Sequence, residues 1–223
     1  AFRNAKNLVS INLYTNKVKK LDSNLFKDCK SISNVSFNNN FITELEEDMF
    51  DESLFPKIKS LKLNHNLIGK MSHMAFKSLE NLASLDLSYN FINNIPDNIF
   101  DRLTSLDSLN LMGNCIKSLG QSLFANLSNL SSLNLSENLI DELKPKQFVG
   151  LSTLTELLLN NNCLRALSGG CFEGLHQIKE INLEYNFISV LEGPNLFECC
   201  KALESIDLQN NKLVRVDPNV FAG

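Results

Sequence analysis

One motif recurs along almost the entire chain, and this repetition constrains the fold more than any other feature. Each copy contains an asparagine, and successive asparagines lie 24 to 26 residues apart. Apolar residues surround it at fixed positions, as in Leu82-x-x-Leu85-x-Leu87-x-x-Asn90-x-Ile92. The recurring asparagines are Asn16, Asn40, Asn66, Asn90, Asn114, Asn138, Asn162, Asn186 and Asn211. A unit this short cannot bury an apolar face alone, so the repetition predicts an array of stacked units.

Within each unit, alternating apolar residues predict one short strand. Side chains two residues apart on a strand point to the same side, so Leu85 and Leu87 would both face inward. One strand per unit, stacked in parallel about 4.8 Å apart, would form a continuous sheet. The asparagine follows the strand, where a buried amide can satisfy backbone N–H and C=O groups of neighbouring units. We call the nine asparagines the asparagine ladder and expect it to hold the units in register.

The aromatic composition is lopsided, with 15 Phe, three Tyr and no Trp. Ten of the phenylalanines recur about once per unit, which predicts a stacked phenylalanine spine on the convex side, where each ring fills volume that its neighbour leaves. The spine consists of Phe2, Phe26, Phe50, Phe76, Phe100, Phe124, Phe148, Phe172, Phe197 and Phe221.

The motif L-x-x-L-x-L-x-x-N-x-L resembles that of the leucine-rich repeat family. The resemblance implies an α/β fold: a curved solenoid with a parallel concave sheet and irregular or 3-10 convex loops that carry the phenylalanine spine. We expect residues 1–223 to form a single domain of about nine repeats. Family ectodomains have cysteine-rich flanks that are not recognisable here, so we interpret the chain as a fragment without N- or C-terminal caps.

The repeat subtype also bears on function. A 24-residue period with a phenylalanine spine resembles extracellular receptors and matrix proteins of animals. Units such as Asn138-Leu139-Ile140 resemble Toll-like receptor ectodomains and related invertebrate immune proteins. The resemblance implies extracellular recognition of a protein or microbial ligand by an innate-immune receptor-type module, with homodimers or heterodimers as its assemblies. A neuronal or matrix adhesion protein and a cytosolic scaffold are the alternatives.

Charge and composition weigh against several other classes. The net charge is −4 and no cluster of Lys or Arg stands out, so neither nucleic acid nor an anionic membrane is a predicted partner. No apolar run is long enough to span a bilayer. The repeat register predicts His65 on the concave face and His73 and His176 in different loops, so no two histidines are expected to meet, and no Gly-x-Ser-x-Gly or phosphate-binding loop occurs. We therefore predict no enzymatic activity, no cofactor and no metal.

The candidate binding residues lie at outward positions on or just after the strands. Tyr is favoured at interface hot spots because it combines a large rigid area with a hydroxyl. The predicted ligand-binding residues of the concave face are His65, Tyr89, Met112, Leu158 and Tyr185.

The six cysteines fall into two groups by their position in the repeat. Cys29 and Cys200 replace a core leucine, and Cys115 and Cys163 directly follow a ladder asparagine, so these four are interpreted as apolar core groups with free thiols. Cys171 and Cys199 lie in adjacent units and are the candidate disulfide.

Four N-x-Ser sequons, at Asn34, Asn126, Asn129 and Asn134, are candidate glycosylation sites. Sequons favour the secretory pathway and free thiols favour a reducing compartment; the repeat subtype favours the extracellular interpretation.

Overall fold

The computed structural model describes residues 5–20, 26, 28–47, 49–50, 55–167, 169–193 and 196–221. Its main element is a parallel sheet of nine strands of three residues each, stacked in chain order with one-to-one register. The strands are β1 Ser10–Asn12, β2 Asn34–Ser36, β4 Ser60–Lys62, β6 Ser84–Asp86, β7 Ser108–Asn110, β8 Ser132–Asn134, β9 Glu156–Leu158, β10 Glu180–Asn182 and β12 Ser205–Asp207.

Two small parallel ladders lie outside this sheet. β3 (Glu44–Leu45) pairs with β5 (Lys70–Met71), and β11 (Val190–Leu191) pairs with β13 (Arg215–Val216). Elsewhere in the described ranges the connections are turns, and no α-helix occurs there. The solenoid predicted from the repeat is confirmed, with turns rather than helices on its outer side.

The core runs through the solenoid behind the sheet. The middle residue of each strand points inward, as Leu85, Leu109 and Leu133 do, and these side chains are at most 1% exposed. The period of two places the next apolar residue of the motif, such as Leu87 or Leu111, on the same buried side.

The phenylalanine spine forms the outer wall of this core. Consecutive rings from Phe124 to Phe221 have centroids 5.3 to 6.4 Å apart and interplanar angles of 6° to 17°. Near the longer second unit the stacking is different: Phe55 packs 5.3 Å from Phe26 and 6.0 Å from Phe50, both in tilted geometry. The bond from Ile58 N to Phe55 O is equivalent to that from Leu82 N to Leu79 O, so Phe55 occupies a position that is leucine in the next repeat. Phe2 lies outside the described residues.

Each interior asparagine of the ladder connects two repeats through its side chain. For Asn114, the Oδ1 atom accepts a hydrogen bond from Ile92 N in the preceding repeat (3.1 Å). Its Nδ2 group donates to Leu87 O in that repeat (3.1 Å) and to Leu111 O in its own (3.0 Å). The same three bonds recur at Asn40, Asn66, Asn90, Asn138, Asn162, Asn186 and Asn211. Among the residues that the structure describes, the partners of Asn16, in the first repeat, are carbonyls of its own turn.

The residue before every ladder asparagine has a left-handed backbone conformation. Its φ angle lies between 51° and 67° in all nine repeats. This conformation turns the chain so that the asparagine side chain points back into the core. We call these residues the left-handed column: Thr15, Asn39, His65, Tyr89, Gly113, Glu137, Asn161, Tyr185 and Asn210.

Replacement of a central ladder residue tests this arrangement. We expect Asn114→Leu to lower the free energy of unfolding by about 1–3 kcal/mol, because one backbone N–H and two carbonyls lose their buried partner. Urea denaturation measures the change. Asn16→Leu is the matched control, since Asn16 is exposed and bonds within its own turn; equal losses in the two variants would contradict the ladder's role between repeats.

Candidate ligand-binding surface

In most strands of the main sheet, the side chain of the last residue forms a hydrogen bond with the turn that follows. In six strands this residue is Asn or Asp, and its side-chain oxygen accepts from the backbone N–H two residues later at 2.8 to 3.1 Å. Such turns are a common use of short polar side chains. In β2, Ser36 hydrogen-bonds instead to Asn38. These polar residues therefore support the turn, although their positions alone suggest a binding surface.

Lys62 and Leu158 are the two exceptions to this pattern. Each ends its strand without a side-chain hydrogen bond to the turn within the described part of the chain. Their side chains are consequently available for contact with a ligand. Leu158 is half-buried on β9 and was predicted from its outward position. Lys62 was not among the predicted binding residues, because the sequence does not show that the other strand ends are engaged in turn hydrogen bonds.

Three of the predicted binding residues share the left-handed column. His65, Tyr89 and Tyr185 have φ angles of 54°, 52° and 51°. Asn and Gly adopt this conformation at low cost, whereas bulky side chains adopt it rarely. The tyrosines therefore occupy positions for which their own backbone preference is poor, which is the kind of local cost that concentrates at functional sites.

His65 and Tyr89 form a stacked pair at the edge of the concave face. Their ring centroids are 4.5 Å apart and the ring planes differ by 11°. The hydroxyl of Tyr89 lies 3.7 Å from the sulfur of Met112. On the far side of the ring, a Cβ built on Gly113 would come within 2.6 Å of Tyr89 Cδ1, so glycine provides the space for the tyrosine. The ring of Tyr89 is thus held by its neighbours before any ligand arrives.

The hydroxyl of Tyr89 has an acidic neighbour two repeats further along the chain. Burial, followed by the charge of Glu137, raises the pKa of Tyr89 above the usual 10.0. At neutral pH the hydroxyl is therefore protonated and can donate a hydrogen bond. The ring still has 38% of its surface exposed, so it remains accessible to a partner.

Two grooves meet at His65. The first, of about 610 Å³, lies on the concave face over β1, β2 and β4, and Tyr14, Lys62, Asn64 and His65 are among its lining residues. It is polar, and Asn64 Oδ1 is buried there without a hydrogen-bond partner among the described residues. An unused acceptor of this kind can accept a bond from a ligand.

The second groove, of about 570 Å³, lies at the lateral edge of the solenoid. Its lining includes the stacked pair His65 and Tyr89 and three large apolar side chains, Phe41, Leu67 and Phe91. Both volumes are in the range of small-ligand sites. A polar groove and an apolar groove therefore share one histidine.

The apolar side chains of the second groove belong to a column that sequence reasoning placed in the core. This lateral column consists of the residues that directly follow a ladder asparagine: Lys17, Phe41, Leu67, Phe91, Cys115, Leu139, Cys163, Phe187 and Lys212. Its five Phe and Leu side chains are 41–58% exposed. The asparagine before each of them and the apolar residue after it both point inward, so the residue between must point outward.

The interpretation of Cys115 and Cys163 as core groups is therefore wrong. Both are only half-buried, because they belong to the lateral column. Cys29 and Cys200 are buried, in agreement with their place in the leucine position. The alternation of side chains around the asparagine was the signal that could have separated the two pairs.

The predicted pair Cys171 and Cys199 is not joined in the structure, where both are free thiols. Cys171 is fully buried and Cys199 is half-buried. Burial and the nearby Cys200 raise the pKa of the Cys171 thiol to about 12. The neighbour that acts on Cys171 is thus Cys200 rather than Cys199, and the protonated thiol would react slowly.

The structure brings only part of the predicted binding set together. His65, Tyr89 and Met112 are in contact as one cluster. Tyr185 lies in the same column four repeats away, and Leu158 lies on β9. The latter two belong to the acidic part of the face, where the outward residues of β9, β10 and β12 include Glu156, Glu180 and Asp207.

The four sequon asparagines differ in their surroundings. Asn126 is exposed and has no side-chain hydrogen bond within the described ranges. Asn129 is also exposed but donates to Thr104 O (2.7 Å), and Asn34 donates to Ser33 Oγ. Asn134 is half-buried and accepts from both the N–H and the hydroxyl of Ser136. A glycan would be tolerated most easily at Asn126.

No metal site or membrane helix is found in the part of the chain that the structure describes. No group of three or more His, Cys, Asp or Glu side chains is arranged to hold a metal ion there. No helix in that part is long and apolar enough to cross a bilayer.

Comparison with known families assigns the repeat. The family model described as leucine rich repeat matches residues 56–116, 113–164, 128–188 and 152–213, which together cover more than half of the chain. The chain therefore belongs to the leucine-rich repeat family, which implies a role in recognition. Comparison with curated protein sequences finds no match.

Several solved structures share the fold. TLR13, solved in a complex with ssRNA13, has a TM-score of 0.87 and 29% identity over 92% of this chain and 29% of its own. A leucine-rich repeat protein of Leptospira interrogans has a TM-score of 0.78 and 28% identity, covering 96% of this chain and 51% of its own. An internalin of Listeria monocytogenes, at 22% identity and TM-score 0.73, shares the fold over 96% of this chain and 62% of its own.

These comparisons have two consequences. The chain resembles Toll-like receptor ectodomains, as the repeat subtype predicted. It spans less than two thirds of the length of each of these structures. The presence of RNA in the TLR13 complex weighs against the prediction that nucleic acid is not a partner, which was based on the net charge and on the lack of a cluster of Lys or Arg.

The cost of a tyrosine in the left-handed column can be measured at Tyr185. We expect Tyr185→Asn to raise the free energy of unfolding by up to about 1 kcal/mol, because asparagine adopts this conformation more readily. Urea denaturation gives the value. Asn161→Tyr, in the preceding repeat, makes the reverse change and should destabilise; a loss of stability in both variants would contradict the argument.

The environment of the Tyr89 hydroxyl can be tested by spectrophotometric titration. The difference between the wild-type and Tyr89→Phe titration curves isolates this residue, and we expect its midpoint above pH 10.0 because burial and Glu137 favour the protonated form. Glu137→Gln removes the charge and should lower the midpoint. A midpoint at or below 10.0 in the wild type would show that the hydroxyl is neither buried nor influenced by Glu137 as described.

Proposed function

We propose that the chain is the ligand-recognition part of an extracellular leucine-rich repeat receptor of the innate-immune type, with a protein or microbial ligand. The observation that carries this proposal is the preorganised cluster of His65, Tyr89 and Met112, placed where a polar and an apolar groove meet. Binding loses less conformational entropy when the contact residues are already fixed. Similarity to TLR13 over 92% of the chain supports the receptor assignment.

The rest of the concave face supports recognition rather than chemistry. Its outward polar residues are mostly engaged in turn hydrogen bonds, and its charges are spread over separate strands. Such a face offers area and shape to a partner. Formation of homodimers or heterodimers stays a prediction of the resemblance.

A cytosolic scaffold is the second candidate, and one observation favours it. Cys115, Cys163, Cys171, Cys199 and Cys200 are free thiols, which is the usual state in a reducing compartment. Cys115 and Cys163 lie two repeats apart in the lateral column, about 10 Å, which is too far for a disulfide. The two candidates differ in whether the chain passes through the secretory pathway.

Intact mass after expression with a secretory signal in a eukaryotic host distinguishes them. We expect a secreted product whose mass falls on glycosidase treatment, with Asn126 as the main site because it is the most accessible sequon. Asn126→Gln should remove most of that mass difference. A product that stays inside the cell, or one that is secreted without glycan, would favour the cytosolic scaffold.

Thiol alkylation of the same native protein independently tests the accessibility and redox state of the cysteines. We expect Cys115 and Cys163 to react first, because both belong to the exposed lateral column. Cys171 and Cys200 should react only after unfolding, since burial raises their pKa to about 12 and about 11. Two thiols that become reactive only after reduction would instead indicate the predicted Cys171–Cys199 disulfide.

A further inference from the structure

The exposed apolar side chains of the lateral column are concentrated where the chain is most basic. Phe41, Leu67 and Phe91 occupy three successive repeats and line one groove. Their exposed fractions are 42%, 41% and 58%. Scattered exposed apolar residues are ordinary, but a contiguous row of them marks an interaction surface. Burial of this row by a partner would be favourable in proportion to its apolar area.

Two lysines lie near this row, although neither lines its groove. Lys17 is the member of the lateral column in the repeat before Phe41, and it is exposed. Lys62 lines the polar groove that shares His65 with the apolar one. Neither has a carboxylate within ion-pair distance among the described residues, whereas Lys20, Lys77, Lys117, Lys144, Lys146 and Lys179 each do.

No ion pair joins Lys62 to the neighbouring strands in the described part of the chain, although one of them carries a carboxylate next to it. Ser36 and Asp86 are its partners in the sheet register. The Oδ1 atom of Asp86 accepts hydrogen bonds from both the N–H and the hydroxyl of Ser88, so this carboxylate is engaged in its own turn. Lys62 also replaces the turn-forming Asn or Asp that most strands have at this position, and its ammonium group is left free for a ligand.

The charge on the sheet is polarised along the solenoid. Lys62 lies on β4, whereas Glu156, Glu180 and Asp207 lie on β9, β10 and β12. A partner with negative charge would be attracted to the early repeats and repelled from the late ones. At the late end, Phe187 has a similar exposure of 49% and is followed in the lateral column by Lys212, but the strands of its part of the sheet carry the three acidic residues.

We propose that the surface formed by Phe41, Leu67, Phe91, the His65–Tyr89 pair, Lys17 and Lys62 binds an acidic, extended protein segment that carries apolar side chains. The apolar side chains of the segment cover the row, and its carboxylates lie toward the two lysines. This inference deepens the proposed recognition function by assigning a partner class and a surface. It does not depend on the compartment in which the chain acts.

A protein segment fits this surface better than a nucleic acid does. The row offers aliphatic and aromatic side chains at the side of the solenoid, while the cationic groups next to it are few. Nucleic-acid affinity comes largely from many Lys or Arg contacts to phosphates. A long polyanion would also extend toward the acidic strands, which would repel it. The experiment below therefore includes nucleic acid as a competing ligand.

A phage-displayed library of random dodecapeptides, selected on the whole chain, tests the proposal. We expect enriched peptides to combine Asp or Glu with Phe, Leu, Ile or Trp, and to bind less tightly as salt increases. Phe91→Ser and Lys62→Glu should each weaken the best peptide at least about tenfold. Phe187→Ser is the matched control, because it makes the same change in the same column at the acidic end and should leave binding unchanged.

Three results would overturn the proposal. Enriched peptides that lack acidic residues would remove the role of the lysines. Equal losses for Phe91→Ser and Phe187→Ser, or no loss for either, would remove the surface. Displacement of the peptide by a mixed-sequence single-stranded RNA at physiological salt, with tighter binding of the RNA, would assign the site to nucleic acid. Circular dichroism and urea midpoints verify that each variant is folded. The outcome of the secretion experiment, which tests the proposed function, does not depend on any of these three results.

Discussion

The hydrogen bonds of the asparagine ladder are the interaction on which the rest of this structure depends. Each interior amide joins the carbonyls of two repeats and satisfies one N–H of the earlier repeat, as Asn114 does with Leu87, Leu111 and Ile92. These backbone groups lie where the chain leaves the sheet, so they have no strand partner. Buried polar groups without partners are costly. The ladder therefore allows the chain to turn away from the sheet while its apolar residues stay packed behind it.

The ladder also determines the conformation of the residue before it. To point an asparagine inward after an outward residue, the chain adopts a left-handed φ angle in every repeat. Asparagine and glycine at Asn161 and Gly113 suit this conformation, whereas tyrosine at positions 89 and 185 does not. The repeat therefore holds the two tyrosine side chains at fixed positions despite this preference. At Tyr89 the neighbouring repeats complete the arrangement, since His65 stacks on one side of the ring and Gly113 leaves room on the other.

In this periodic fold, equivalent side chains of successive repeats share one orientation. A residue whose chemistry differs from that of its equivalents is therefore a candidate functional residue. Most strands end in a turn-forming Asn or Asp, and Lys62 and Leu158 depart from this rule. The lateral column is apolar and exposed along much of its length, yet lysines stand at positions 17 and 212. Polarised charge along the sheet makes chemically similar positions, such as Phe91 and Phe187, different in their surroundings. The early repeats combine these departures with two grooves in one place.

The sequence by itself determined the solenoid, its strand positions, the phenylalanine spine and the ladder, because a period of 24 to 26 residues allows few other ways to bury these side chains. It also located His65, Tyr89 and Met112 as outward residues. Only the tertiary structure decided that these three touch, that Asp86 and Asn134 serve their own turns, and that Cys115 and Cys163 lie on an exposed column. The physical reason is that the repeat specifies which side chains point inward, whereas contacts between repeats depend on ring orientation, local hydrogen bonds and the space beside a glycine, which no single repeat encodes.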